Sequence, residues 1–288
     1  MDYLILFLGV ILSSATAVLL KIYQNQFGVS KKFTFFFTGC MTLAIAIVMI
    51  CFAKFTFNLS ILGIIIAIIM GVLYSLNMPT YQKALSIGGI GRCSIFLFLG
   101  GLLLPFLYGA IWLNEQVTVY KIIGLVVVVA AVFVQLDLKS SSTGKSFFIY
   151  GILIFLMNGL FCVLLKVEAV LKSNTFETMC IAGASASIIS FIMFFITKGE
   201  KSGVFFGVKP KLIALGTTVG YGAMNGFSNV INIYVASKLP ATVQFPVNSA
   251  GVIVVTVLSG IVFFKEKLNL RSIFSIILSI IAIVLYTV

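Results

Sequence analysis

The sequence predicts an all-α membrane protein of ten transmembrane helices, arranged as two inverted five-helix repeats. Three observations carry that prediction. Apolar residues make up 61% of the chain and charged residues only 9%, with a mean hydropathy of +1.22, whereas soluble domains hold about 45–50% apolar residues. Apolar segments of spanning length recur at short intervals along all 288 residues. The longest polar break falls near the midpoint, and short patterns on its two sides repeat.

A spanning helix needs about 20 apolar residues, because the hydrocarbon core is about 30 Å thick and a helix rises about 1.5 Å per residue. By that measure spans lie near 3–22, 33–52, 60–82, 91–113 and 119–137, then near 147–166, 176–197, 211–235, 241–264 and 270–287. The first is expected to be a retained helix rather than a signal peptide. Only Asp2 precedes Tyr3, so there is no basic leader region, and no small-x-small cleavage site is evident. In the fourth span Pro105 predicts a kink. Gly100-Gly101 there, and Gly251, Ser259 and Gly260 in the ninth, suit close helix packing. The break from Asp137 to Ser146, D-L-K-S-S-S-T-G-K-S, is a flexible linker by composition. The organisation is therefore a first repeat over 1–137, a linker over 138–146 and a second repeat over 147–288. Any activity must reside among the helices or in short loops.

Two matches support duplication. W-L-N-E-Q-V-T at 112–118 aligns with F-F-K-E-K-L-N at 263–269, which equates Glu115 with Glu266 at an offset of 151. A-V-L-L-K at 17–21 aligns with C-V-L-L-K at 162–166, at an offset of 145. Five spans per half is an odd number, so the second half enters the membrane with opposite orientation. That yields a pseudo-twofold axis in the membrane plane and suits alternating access.

The formal net charge is +12, from 19 basic and 7 acidic residues. The basic residues sit singly or in pairs at span ends, so lipid headgroups are the expected partners and nucleic acid is not. All of them except Lys54, Lys121, Lys166, Lys172 and Lys238 lie in or beside the loops after odd-numbered spans. The positive-inside rule then puts both termini outside. Asp2, Glu115, Asp137, Glu168, Glu177, Glu200 and Glu266 all lie at or beyond span ends. No carboxylate is expected mid-membrane, and histidine is absent, which argues against proton exchange through a buried acid. Glu115 and Glu266 precede the fifth and tenth spans, where negative charge suits a helix N-terminus. The five cysteines form no C-x-x-C pair and read as packing residues. No metal site, cofactor or catalytic constellation is expected.

The most informative feature is a polar stripe on the eighth span. Tyr221, Asn225, Asn229 and Asn232 fall at i, i+4, i+8 and i+11, on one helix face, with Ser228 beside them. Amides in a membrane helix are costly unless they meet partners or water. They suit a cavity wall that hydrogen-bonds a solute; helix–helix bonding is the other reading. Tyr74, Asn77 and Tyr81 share a face of the third span, and at the offset of 151 they correspond to Asn225, Ser228 and Asn232. Asn158, which corresponds to Ser13, and the pair Gln244 and Asn248 are further candidates for the cavity. Lys83, Arg92 and Lys238 flank it, either as an anion grip or as interfacial anchors.

The chain resembles the drug/metabolite transporter superfamily, in its ten-helix EamA-like branch, along essentially its whole length. The resemblance rests on the two sets of five spans and on Ala84-Leu85-Ser86, Pro105 and Glu115, echoed by Ala236-Ser237 and Glu266. Asn114 and Lys265 stand where the family pattern has glycine before each glutamate, and Thr256 stands opposite Pro105. In the family's small-cation exporters an acid in the first span binds the cation; here that span offers Ser13, Ser14 and Thr16. The resemblance implies a secondary transporter, whose relatives commonly have both termini inside. With the amide-and-tyrosine lining, the expected substrate is a small neutral or zwitterionic metabolite, such as an amino acid or related compound. An anionic or lipid-linked solute is the alternative. A membrane-embedded lipid-modifying enzyme is disfavoured because no histidine, acid pair or metal cluster is evident. The expected partners are a small-molecule substrate and the lipid bilayer, with a homo-oligomer left open. The expected location is the plasma (inner) membrane of a bacterium.

Overall fold

The computed structural model describes residues 2–27, 31–55, 57–88, 90–134, 145–171, 174–197, 208–264 and 270–287. Among them are ten α-helices: α1 (Asp2–Phe27), α2 (Lys31–Phe52), α3 (Ile61–Gly88), α4 (Ile90–Ile111), α5 (Val119–Val134), α6 (Lys145–Val170), α7 (Thr175–Ile196), α8 (Val208–Ala236), α9 (Ala241–Phe264) and α10 (Leu270–Thr287). No strand occurs among the described residues. Most of the linker, and Glu266 with its neighbours, lie outside them. Several helices outrun the apolar segments that predict them. α1 continues to Phe27 and α6 to Val170, because polar residues at a membrane face extend a helix as readily as apolar ones.

Among the described residues, six segments are long and apolar enough to cross a membrane: Asp2–Leu20, Lys32–Phe52, Ile61–Ala84, Ser146–Val170, Thr175–Ile196 and Ala241–Ser259. Phe96–Ile111, Val119–Val134 and Leu270–Tyr286 are shorter apolar helices. α8 is long but less apolar, because it carries the polar stripe.

The surface reverses that of a water-soluble protein. Ile61 is 80% exposed, Phe195 78% and Leu4 74%, and similar side chains cover the outer faces of most helices. Apolar patches beyond a few hundred Å² are rare on soluble monomers. The interior is instead rich in small and hydroxyl side chains, among them Ala67, Ala131, Ala186, Ala250, Ser14, Thr38, Ser190 and Thr218, all fully buried. Helices bounded by lipid gain nothing by hiding leucine from leucine-like tails, so contact comes from small residues that let backbones approach. The buried hydroxyls cause no loss where they bond back to their own helix: Ser14 donates to the Val10 carbonyl at 2.9 Å, and Thr38 to Thr34 and Thr42 to Thr38 at 2.8 Å.

The packing has an internal correspondence. α2 packs on α7, α5 on α10 and α4 on α9; α1 meets α8 as α6 meets α3; α1 meets α9 as α6 meets α4; α2 meets α8 as α7 meets α3. Exchanging each helix with the one five later maps these pairs onto one another. The seams agree at residue level. Gly71 and Gly222 are 151 apart; a Cβ on Gly71 would lie 2.8 Å from the Ala182 carbonyl of α7, and one on Gly222 would lie 2.9 Å from Met41 Cα of α2. Gly100 and Gly251 share that offset, and a Cβ there would lie 2.9 Å from Phe155 Cα and 3.0 Å from the Val10 side chain, respectively. Val10 and Phe155 are themselves 145 apart.

Gly222→Leu should therefore force α8 off α2 and cost about 1–3 kcal/mol, the usual range for overpacking, seen as a lower thermal midpoint in detergent. Gly216→Ala is the contrast, since no atom lies within 4 Å of a Cβ placed there. It should hold or raise the midpoint, as alanine exceeds glycine in helix propensity by up to about 1 kcal/mol. Equal losses in both variants would contradict the close α2–α8 seam.

Candidate functional site

Midway along the bundle, Tyr74 of α3 meets Asn225 of α8. The Tyr74 hydroxyl donates to Asn225 Oδ1 at 2.8 Å, and Asn229 Nδ2, one turn further along α8, donates to the same oxygen at 2.9 Å. Both lone pairs of that carbonyl are then occupied. The Asn225 amide N–H groups and Asn229 Oδ1 are not used by these bonds. Tyr74 also sets its ring edge-on to Phe161 of α6, with centroids 5.1 Å apart, and Cys162 lies close to it. Tyr221, one turn before Asn225, packs edge-on against Phe37 of α2 at 5.1 Å, and its hydroxyl interacts with Thr16 of α1. Side chains from α1, α2, α3, α6 and α8 thus converge on a neutral patch of two phenols, two amides and two phenyl rings.

The other candidates take up different positions. Ser228 bonds the Ser13 hydroxyl at 2.6 Å and donates to the Gly9 carbonyl at 3.1 Å, which ties α8 to α1. Asn77 Oδ1, a turn beyond Tyr74, is buried without a hydrogen-bond partner. Tyr81, two turns beyond Tyr74, packs instead with Ala84, Phe147 and Ile154. Asn158 donates from Nδ2 to the Leu97 carbonyl at 2.8 Å, fastening α6 to α4. Gln244 is almost fully buried and donates to the Asn232 carbonyl at 2.9 Å, joining α9 to α8. The Asn232 side chain is partly buried. Gln244 Oε1 and Asn248 Oδ1 are buried without partners. Lys83 and Lys238 are exposed, and the Arg92 side chain lies outside the described residues.

One corner of the bundle differs from the expectation. Glu115 does not serve the helix that follows it. The chain leaves α4 through Asn114, whose φ of +50° is left-handed, a conformation that glycine adopts freely and asparagine tolerates. This accounts for asparagine standing in the glycine position of the motif. Glu115 then turns across to α9, where its oxygens accept the Ala241 and Thr242 amides, each at 2.8 Å. Lys166 is not a snorkelling anchor either. It is 5% exposed and donates to the Ala236 and Leu239 carbonyls at 2.9 Å, with Glu115 at 3.8 Å. Glu168 and Glu177 lie near helix ends as expected, yet both are buried. Thr178 donates to Glu168 at 2.9 Å; Glu177 accepts the Asn58 amide at 2.7 Å and the Asn174 side chain at 2.6 Å.

The sequence does not single out Phe161, Cys162 or Thr16 as site residues. Thr16 and Phe161 are separated by 145, the offset of the V-L-L-K match, so carrying that alignment one residue further back points to both. A double-mutant cycle of Tyr74→Phe and Asn225→Ala should give a coupling of about 1 kcal/mol in chemical unfolding, as expected for one net hydrogen bond. Strictly additive losses would show that the two residues do not touch.

No family model matches the chain, and no curated protein matches it. Among solved structures, the chain is similar to a protein known from a crystal structure, with a TM-score of 0.76 over 99% of this chain and 96% of that one, at 13% identity. A likeness at that identity shows a shared fold.

Proposed function

We propose that this protein is a secondary transporter of the drug/metabolite transporter superfamily, EamA-like branch. On this reading ten membrane spans form two inverted five-helix repeats, working by alternating access on a small neutral or zwitterionic metabolite. The observation that carries the proposal is the Tyr74–Asn225 hydrogen bond. These residues are separated by 151, the offset that equates Glu115 with Glu266. Residues at equivalent places in two halves meet only on the axis that relates those halves. Inverted-repeat transporters hold their solute on that axis, near the bilayer midplane. The helix pairs that exchange under a shift of five, and the glycine seams at the same offset, support the duplication independently.

The chemistry of the patch supports the substrate class. It holds no charged side chain, so a solute of high net charge would be desolvated without compensation. Amide N–H groups and phenol oxygens offer both donors and acceptors, and the rings supply apolar contact and cation–π attraction for an ammonium group. Transport rather than catalysis fits a site of amides and phenols with no acid–base pair among the residues that form it.

A thermal-shift screen of purified protein against amino acids and related polar metabolites should find a stabilising compound; at 100 times its Kd a ligand adds about 2.7 kcal/mol. Asn225→Ala, Asn229→Ala and Tyr74→Ala should each abolish both the shift and uptake of that compound into proteoliposomes, while the protein stays folded. Lys83→Gln and Lys238→Gln should leave both intact. If the three central variants transport normally, the site is wrong; if only the lysine variants fail, the solute is anionic.

A further inference from the structure

The corner where α8 turns into α9 is held from outside itself. Pro240 accepts the Val243 and Gln244 amides and so begins α9. The Ala241 and Thr242 amides are left without partners inside their own helix, as at every helix start. The Glu115 carboxylate takes both. Lys166 takes the carbonyl of Ala236, the last residue of α8, and that of Leu239 in the turn. Each charge therefore faces the helix end it suits, anion to N-terminus and cation to C-terminus, and the two stand 3.8 Å apart. Glu115 arrives from the α4–α5 connection and Lys166 from α6. The carboxylate has dedicated space, because a Cβ on Gly109 would lie 2.6 Å from Glu115 Oε2. Lys121 adds a second tie from α5, donating to the Gln116 carbonyl at 2.6 Å and approaching Thr242 Oγ1 at 3.5 Å. The α2–α3 connection is fastened to α7 by the Asn58–Glu177 bond.

We propose that Glu115 and Lys166 form a latch that holds this end of the bundle, where α4 leads to α5 and α8 to α9, in the closed state. Breaking the latch frees the α8–α9 corner to swing away from α4 and α6. This proposal rests on the alternating-access reading for its role in transport, but the latch itself is tested without a substrate. The described polar ties lie between elements rather than within them, beside the apolar packing of Val235, Leu239 and Val243 in the cluster that includes Phe106. They can be released together without melting a helix. Once Glu115 withdraws, water at the opened corner can solvate the freed amides and Lys166.

The test is spin-label distance measurement in a background lacking the native cysteines. One label pair, Gln116→Cys with Ser237→Cys, reports this end; another, Ile87→Cys with Leu212→Cys, reports the other. All four positions are exposed. Glu115→Gln and Lys166→Met should each raise the population of long 116–237 distances by about tenfold, within the usual range of coupling between states, while 87–212 distances shorten. Gly109→Ala, which leaves every charge in place and displaces the carboxylate, should act in the same direction and serves if the charge variants fold poorly. Unchanged 116–237 distances in folded variants would overturn the latch. So would broadening of both pairs together, which marks general loosening. Bridging positions 116 and 237 with a short bifunctional thiol reagent should stop transport. Full transport by the bridged protein, with the variants still opening this end, would leave the latch standing and overturn alternating access.

Discussion

A polar group inside a lipid-bounded bundle has no water to turn to. In hydrocarbon each unsatisfied amide or hydroxyl costs several kcal/mol, and this constraint decides where polar side chains occur in the chain and what they do. Most meet it locally. Ser14, Thr38 and Thr42 bond to carbonyls a turn back in their own helices and serve only as small packing residues. Others meet it by tying helices together, as Asn158 does to Leu97, Gln244 to Asn232 and Ser187 to Gly39. The central cluster is different. Its bonds leave the Asn225 amide N–H groups and Asn229 Oδ1 over, and in the proposed function a solute would use them.

The same constraint explains why charge sits where it does. Glu115 and Lys166 are buried, but each is matched to backbone groups that would otherwise be orphans at the α8–α9 corner. Removing one member would leave the other uncompensated, the costly half of any buried pair. The centre of the bundle, by contrast, is held by neutral bonds between Tyr74, Asn225 and Asn229. Neutral bonds are weaker than charge-assisted ones, so on the proposed reading the central patch exchanges partners while the corner stays shut.

The helices were legible because lipid imposes a length. Ten apolar segments correspond to ten helices among the described residues, although α1, α3 and α6 run several residues past them. The polar stripe on α8 is legible from its spacing, and the offset of 151 alone makes Tyr74 and Asn225 equivalent. Other features were not legible, for a consistent reason. Hydropathy shows that Lys166 is polar and near a span end; it cannot show that the α8–α9 corner lies beside it with the Ala236 and Leu239 carbonyls free. Likewise Glu115 precedes α5 in sequence, yet its partners belong to α9, 126 and 127 residues away. Tyr81 lies on the same helical face as Tyr74, but two turns of rise carry it to a different neighbour, Phe147. Periodicity gives the face of a helix, whereas position along the axis depends on how its partners are staggered.

Inverted duplication is the claim on which the proposed site and solute turn, and it has a direct topological consequence. Ile87 and Lys238 stand 151 apart at equivalent ends of α3 and α8, and both are exposed. Labelling Ile87→Cys and Lys238→Cys with a membrane-impermeant maleimide, applied from each side of sealed vesicles in a background lacking the native cysteines, reads their sidedness. Inverted repeats require the two positions to react from opposite sides. Reaction of both from the same side would show that the halves are parallel, and the central axis through Tyr74 and Asn225 would be lost.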